Sequence, residues 1–404
     1  AIICVVALVV GIAIWATQSA DKKEGANIDL GDPRCLLQIE EQSIFAVCSC
    51  SGSAENYVLK DEELDFYEDN AAQMLSNKGL IEGPFDRDSC EPGNQALLWS
   101  SSFTRAGFST PGVLLQFSGT GLLQMYTLAY TYLVLGGTDW ARGSTSVEDT
   151  FDVCQWDYVS CSFLARVVEL NLADNNLVGE LPEELSHMPY LKHLDMARNP
   201  GLNGTIGEFK SSELYRSLKA MHLDFTSISG TIPSSLSMLT MLNQLDLANT
   251  RLTGSLPTSL GYIENLSYLM VNDNALTGTI PTDIGMLSNL QLLDLSSNRF
   301  SGTIPTQVEV LIVVELIDVR NNVGIHGTIP TALGNLPRLG TTFLSNTSLD
   351  MTSLPETFCN LTVRSRSYDV VVLNCTEGRP TCSCCESLVL CADAFPAGDA
   401  TYLE

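Results

Sequence analysis

Carboxylates, cysteines and a few histidines are the side chains best placed to do chemistry in this 404-residue chain. Asp195, Asp246, Asp294 and Asp318 end the short apolar motifs HLD, QLD, LLD and LID. Carboxylates at a repeated position could form a column for a cationic partner or hold calcium loosely. The plainer alternative is that an aspartate is simply common at this place of such a motif, with no binding role. Of 13 cysteines, Cys4 lies in an apolar N-terminus. The others are Cys35, Cys48, Cys50, Cys90, Cys154, Cys161, Cys359, Cys375, Cys382, Cys384, Cys385 and Cys391, an even number suited to disulfides in an oxidising compartment. A zinc or iron-sulfur site at Cys382, Cys384, Cys385 and Cys391 is disfavoured: no histidine is near, and two of the cysteines are adjacent, which makes them poor tetrahedral ligands. The histidines are His187, His193, His222 and His326, none in a nucleophile setting. No phosphate-binding glycine loop, H-E-x-x-H or G-x-S-x-G occurs, so neither an enzyme nor a cofactor is expected.

Charge narrows the partners. With 47 acidic against 21 basic residues and a net charge of −26, the surface repels phosphate backbones and anionic lipid heads, which argues against nucleic-acid binding. N-x-S/T sequons at Asn203, Asn265, Asn346, Asn360 and Asn374 agree with a secretory route.

What must position these groups is a repeat. The proline of T-G-x-I/L-P recurs at Pro233, Pro257, Pro281 and Pro305, 24 residues apart, then at Pro330 and Pro355. Pro182 and Gly207 hold the same place upstream, which makes eight rungs. Between rungs runs L-x-x-L-x-L-x-x-N-x-L, clearest in LSNLQLLDLSSNRFSGTIP from Leu287 to Pro305. Alternate leucines such as Leu293 and Leu295 should point inward from a short strand. An inward Asn175, Asn199, Asn274, Asn298 or Asn322 can bond backbone groups stranded by the following bend, and Thr226, Thr250 and Thr347 can do part of that work. Gly179, Gly204, Gly230, Gly254, Gly278, Gly302 and Gly327 permit a second tight turn. One such unit cannot bury its own leucines, so the turns must stack.

These motifs resemble the plant-type leucine-rich repeat over residues 165–358, which implies an α/β solenoid of about eight turns. CQWDYVSC, with Cys154 and Cys161 flanking Trp156, resembles the N-terminal cap of plant repeat proteins. It departs by an extra residue before Val159 and by Tyr158 in place of glycine. LLQMYTLAYTYLVLGGTDW before it reads as a cap helix closed by Gly136 and Gly137, so the cap spans 116–164. NCTEGRPTCSCCESLVLC follows Cys359 in a cysteine-rich C-terminal cap, 359–404. SCEPGNQALLW, the cap helix and the C-x-C-C tail together resemble the membrane-anchored extracellular leucine-rich repeat proteins of diatoms.

Residues 1–20 begin AIICVVALVVGIAIWA and are expected to be a truncated transmembrane signal anchor; the apolar core of a cleaved secretory signal is the alternative. Residues 21–115 are expected to form a cysteine-containing stalk, with an acidic helix at 60–79 ending at Gly79.

On the concave face implied by the resemblance, Tyr268, Met270, Leu292, Leu316 and Phe343 should point outward as a contiguous apolar strip, which often marks an interaction site. His193, His222 and Asp224 begin the same face and Arg320 adds one positive charge. The expectation is a membrane-anchored, receptor-like surface protein that recognises a protein, peptide or polysaccharide there. A structural wall protein, or a constitutive subunit of a membrane assembly, is the alternative.

Overall fold

A computed structural model describes residues 119–141, 153–207, 216–350 and 354–358, the strands Val370–Leu373 and Val389–Cys391, and the positions Ser76, Leu80, Gly93 and Ala96. The anchor at 1–20, nearly all of the stalk and acidic helix, Asn360, Asn374 and every cysteine named above except Cys154, Cys161 and Cys391 lie outside the described residues. Among those described, no helix is long and apolar enough to cross a membrane. The chain forms two compact units, Ala1–Leu191 and Lys192–Glu404.

In the first unit the cap helix spans Gly119–Val134 and is stopped by Gly136 at φ 71°. Leu123, Met125, Tyr126, Leu128, Ala129 and Tyr132 are buried, as expected for a helix that is apolar all round. Past its end an aromatic cluster forms: Trp140 packs edge-on against Tyr132 and Tyr158, and its Nε1 donates to the Leu135 carbonyl at 2.9 Å. The strands Val159–Cys161 and Val167–Asn171 pair antiparallel, and Cys154 is disulfide-bonded to Cys161. Gln124 reaches from the helix to accept the Val167 N–H at 2.8 Å, both groups being buried. The helix is thereby fixed to the first repeat by a hydrogen bond as well as by apolar contact.

The second unit repeats one turn. Its main-sheet strands, His193–Asp195, Ala220–His222, Gln244–Asp246, Tyr268–Met270, Leu292–Asp294, Leu316–Asp318, Thr341–Phe343, Val370–Leu373 and Val389–Cys391, pair in parallel in that order. Their middle residues, from Leu194 and Met221 to Leu293 and Ile317, form the core. A left-handed residue follows each of the first seven of these strands, at Arg198, Phe225, Asn249, Asp273, Ser297, Asn321 and Asn346, and turns the chain so that the next side chain points inward. Asn298 shows the result. Its Nδ2 donates to the carbonyls of Val271, Leu295 and Ser296, and its Oδ1 accepts the Leu276 N–H. Thr226 and Thr347 each bond only one carbonyl, of Leu223 and Leu344, the partial substitution that a hydroxyl allows.

A second parallel sheet, absent from the sequence expectation, follows this bend. Its strands are Ser229–Thr231, Arg251–Ser255, Ala275–Thr279, Arg299–Gly302, Asn322–Thr328 and Thr347–Asp350. Glycines at φ 78° to 92° between Gly230 and Gly327 turn the chain out of these strands. The prolines then lead into the short helical segments Ser234–Met238, Thr258–Tyr262, Thr282–Met286 and Thr306–Val310, and into Thr331–Asn335.

Candidate recognition face

Because the main-sheet strands are in register, their outward residues form two columns on either side of the buried middle one. One runs His193, Ala220, Gln244, Tyr268, Leu292, Leu316, Thr341. The other runs Asp195, His222, Asp246, Met270, Asp294, Asp318, Phe343. Asp224 and Arg320 lie two residues beyond the second column.

The apolar strip differs from its expectation at one point. Tyr268, Met270, Leu316 and Phe343 are half-buried, but Leu292 is only 9 % exposed and contributes little contact surface. It is flanked by Tyr268 on one side and Leu316 on the other, at a strand separation of about 4.8 Å. The Tyr268 hydroxyl donates to Gln291 Oε1 at 2.9 Å, which holds the ring toward the Leu292 strand.

The carboxylate column is also corrected. Asp195, Asp246, Asp294 and Asp318 each use Oδ1 to accept the N–H two residues on, at Ala197, Ala248, Ser296 and Arg320, over 2.9–3.1 Å. These bonds finish the strand ends, so the column is a backbone device before it is a binding site. Asp318 is 2 % exposed and does not face solvent as expected. Its Oδ2 lies 2.9 Å from Arg320 Nε. Stacking carboxylates on adjacent strands has an electrostatic cost. Burial, then Asp224, pushes Asp246 up to about 6. Burial, then Asp294, raises Asp318 despite the opposing pull of Arg320. Asp294 and Asp224 are raised too, in each case mainly by burial.

The polar end of the face is built around His222. Its Nε2 lies 3.2 Å from Gln244 Oε1, its Nδ1 4.0 Å from Asp195 Oδ2, and Asp246 is its register partner. Asp224 is half-buried, while His193 is exposed at the start of the first of these strands. Gln244 and Gln291 were not picked out in the sequence; only their repeated place at or just before a strand start marked them. The sequon residues Asn203, Asn265 and Asn346 are exposed, with amides donating to Gly201 O, Thr240 O and Asn321 Oδ1.

A family model described as Leucine Rich Repeat matches residues 166–188, 241–263 and 289–311. Receptor-like protein 50 of Arabidopsis thaliana is 34 % identical over 100 residues, 24 % of this chain and 11 % of that protein. The LRR receptor-like serine/threonine-protein kinase GSO2 of the same plant is 34 % identical over 104 residues, 26 % of this chain and 8 % of the kinase. The chain thus spans about a tenth of these relatives' length. Among solved structures, the LRR ectodomain of the Arabidopsis membrane receptor kinase GASSHO1/SCHENGEN3, in complex with CASPARIAN STRIP INTEGRITY FACTOR 2, is 30 % identical with TM-score 0.51. The match covers 56 % of this chain and 27 % of that one. Repeat motif, in-register parallel strands and these likenesses agree: the chain carries leucine-rich repeats of the plant type, similar to those of plant receptor ectodomains.

Proposed function

We propose that this chain is a membrane-anchored cell-surface recognition protein, not an enzyme, that binds a protein or peptide, or a polysaccharide, on the outward face of its main sheet. The observation that carries the reading is the run of half-buried apolar side chains Tyr268, Met270, Leu316 and Phe343 on consecutive or near-consecutive in-register strands. The polar end at His222, Asp224 and Asp246 would set the register of a ligand more than its affinity. Support also comes from the likeness to a receptor ectodomain solved with a bound partner. Anchoring rests on the apolar residues 1–16, and placement outside the cytosol on the cysteines and sequons. The looser resemblance to diatom surface proteins belongs to the same reading.

An apolar run of this kind also suits a lasting partner, so a constitutive subunit of a membrane assembly is the second reading. Purification of the native protein in mild detergent, followed by sizing and mass spectrometry, tests both. A stoichiometric companion lost on combining Met270→Asp with Phe343→Asp identifies a permanent interface on this face. A glycosylated monomer supports a free receptor awaiting its ligand. A companion retained by the folded double variant removes this face from the proposal.

A further inference from the structure

A second apolar row lies away from the recognition face, on the short helical segments. Met238, Tyr262, Met286 and Val310 are the last residues of four successive segments, 24 residues apart. They are 49, 58, 48 and 50 % exposed, whereas the Leu236, Leu260, Ile284 and Val308 side chains of the same segments are buried. Met241 and Ile312, 40 and 56 % exposed, widen the row at its two ends. Exposed large apolar residues scattered singly are ordinary; one per turn at the same place over four turns is a continuous strip.

The row has an acidic border. Glu264, Asp283 and Glu309 lie within two residues of Tyr262, three of Met286 and one of Val310. Between Thr231 and Val314 the only basic residues are Arg251 and Arg299, and both lie on the second sheet. This border disfavours two occupants. A second copy would set like charges against each other, and the chain's own acidic segment 60–79 carries the same sign.

We propose that this row docks an amphipathic helix of another protein, with one apolar face flanked by lysine or arginine. The spacing fits such a partner. Successive turns of the repeat are about 4.8 Å apart at the sheet, close to the 5.4 Å pitch of an α-helix. Four rungs therefore meet residues i, i+4, i+7 and i+11 of a helix laid along the row, the pattern by which helices fill apolar grooves. Basic flanks would pair with Glu264, Asp283 and Glu309. The inference is independent of the proposed recognition face and stands if that face proves empty.

The test uses the detergent-solubilised full chain and a fluorescein-labelled synthetic peptide of about 18 residues, five helical turns. One face of the peptide carries Leu and Met, and lysines flank it. A scrambled peptide of identical composition controls for charge alone. In anisotropy at near-physiological salt the patterned peptide is expected to bind about tenfold tighter than the scrambled one. The Tyr262→Ser, Met286→Ser double variant should lose that tenfold, while Met270→Ser on the main sheet should leave it unchanged. Equal affinity for both peptides, or loss on Met270→Ser alone, overturns the proposal. So does a dimer in sedimentation that the double variant abolishes, since a second copy would then be the occupant.

Discussion

Arg320 lays its guanidinium 4.6 Å from the centre of the Phe343 ring while its Nε lies 2.9 Å from Asp318 Oδ2. A single cation therefore joins the buried carboxylate of one strand to the aromatic side chain of the next. Removing it would free the Phe343 ring and, above the raised pKa of Asp318, leave that carboxylate buried without its counter-charge. Arg320→Ala is expected to cost about 2 kcal/mol in urea unfolding, a value discounted for the partial exposure of the arginine. Adding Asp318→Asn to that variant should recover most of the loss. An unchanged midpoint in Arg320→Ala would show that the pair contributes nothing.

The acidic column should make stability depend on pH. Asp246 titrates near 6 in the folded chain against an ordinary value of 3.8, so the folded state binds the proton more tightly. Its contribution is fully present below about pH 4 and is lost as pH rises through about 6. The raised Asp224 acts in the same direction. Asp246→Asn keeps an oxygen for the Ala248 N–H and cannot ionise. It should stabilise by on the order of 1 kcal/mol at pH 7.5 and by nothing at pH 3.5. Thermal unfolding at both pH values checks the sign.

Asn298 holds together two turns at once through four hydrogen bonds. Asn298→Ala takes the Oδ1 acceptor from the buried Leu276 N–H and one of two donors from each of the Val271, Leu295 and Ser296 carbonyls, which keep Asn274, Asn322 and the Asp273 N–H, and should cost about 2 kcal/mol. Asn298→Thr should regain part of this, since Thr226 and Thr347 bond one carbonyl each at the same place. Equal stability of the two variants in denaturant titration would show that the hydroxyl does nothing.

Phe225 is the odd residue among the left-handed positions, with φ 53° and its ring 52 % exposed. The equivalent residues are Arg198, Asn249, Asp273, Ser297, Asn321 and Asn346. A bulky aromatic side chain gains nothing there that offsets the strained backbone. Phe225→Asn is expected to raise stability by about 1 kcal/mol, read as a higher melting temperature. A fall would mean that the ring makes a contact worth more than the strain.

The repeat, its inward leucines, the asparagine bonds and the glycines of the second turn were legible in the sequence because each is a local requirement recurring at a fixed period. A strand that buries alternate residues, or a bend that needs positive φ, imposes residue types on its own few positions. The second sheet was not legible. Short T-G-T stretches around a glycine look like turns, and become strands only when neighbouring turns supply the hydrogen bonds. Which outward side chains are free to bind was likewise decided by the stack. Leu292 and Phe343 have the same alternation, yet Tyr268 and Leu316 enclose the first, while the second is half-buried and carries Arg320 on its ring. The aspartates read as an acidic column, and only the packed strands turned them into strand-ending acceptors with raised pKa values. Sequence determined the turn, because its constraints lie within 24 residues. Tertiary structure decided the surface, because exposure and ionisation depend on what the adjacent turn places about 4.8 Å away.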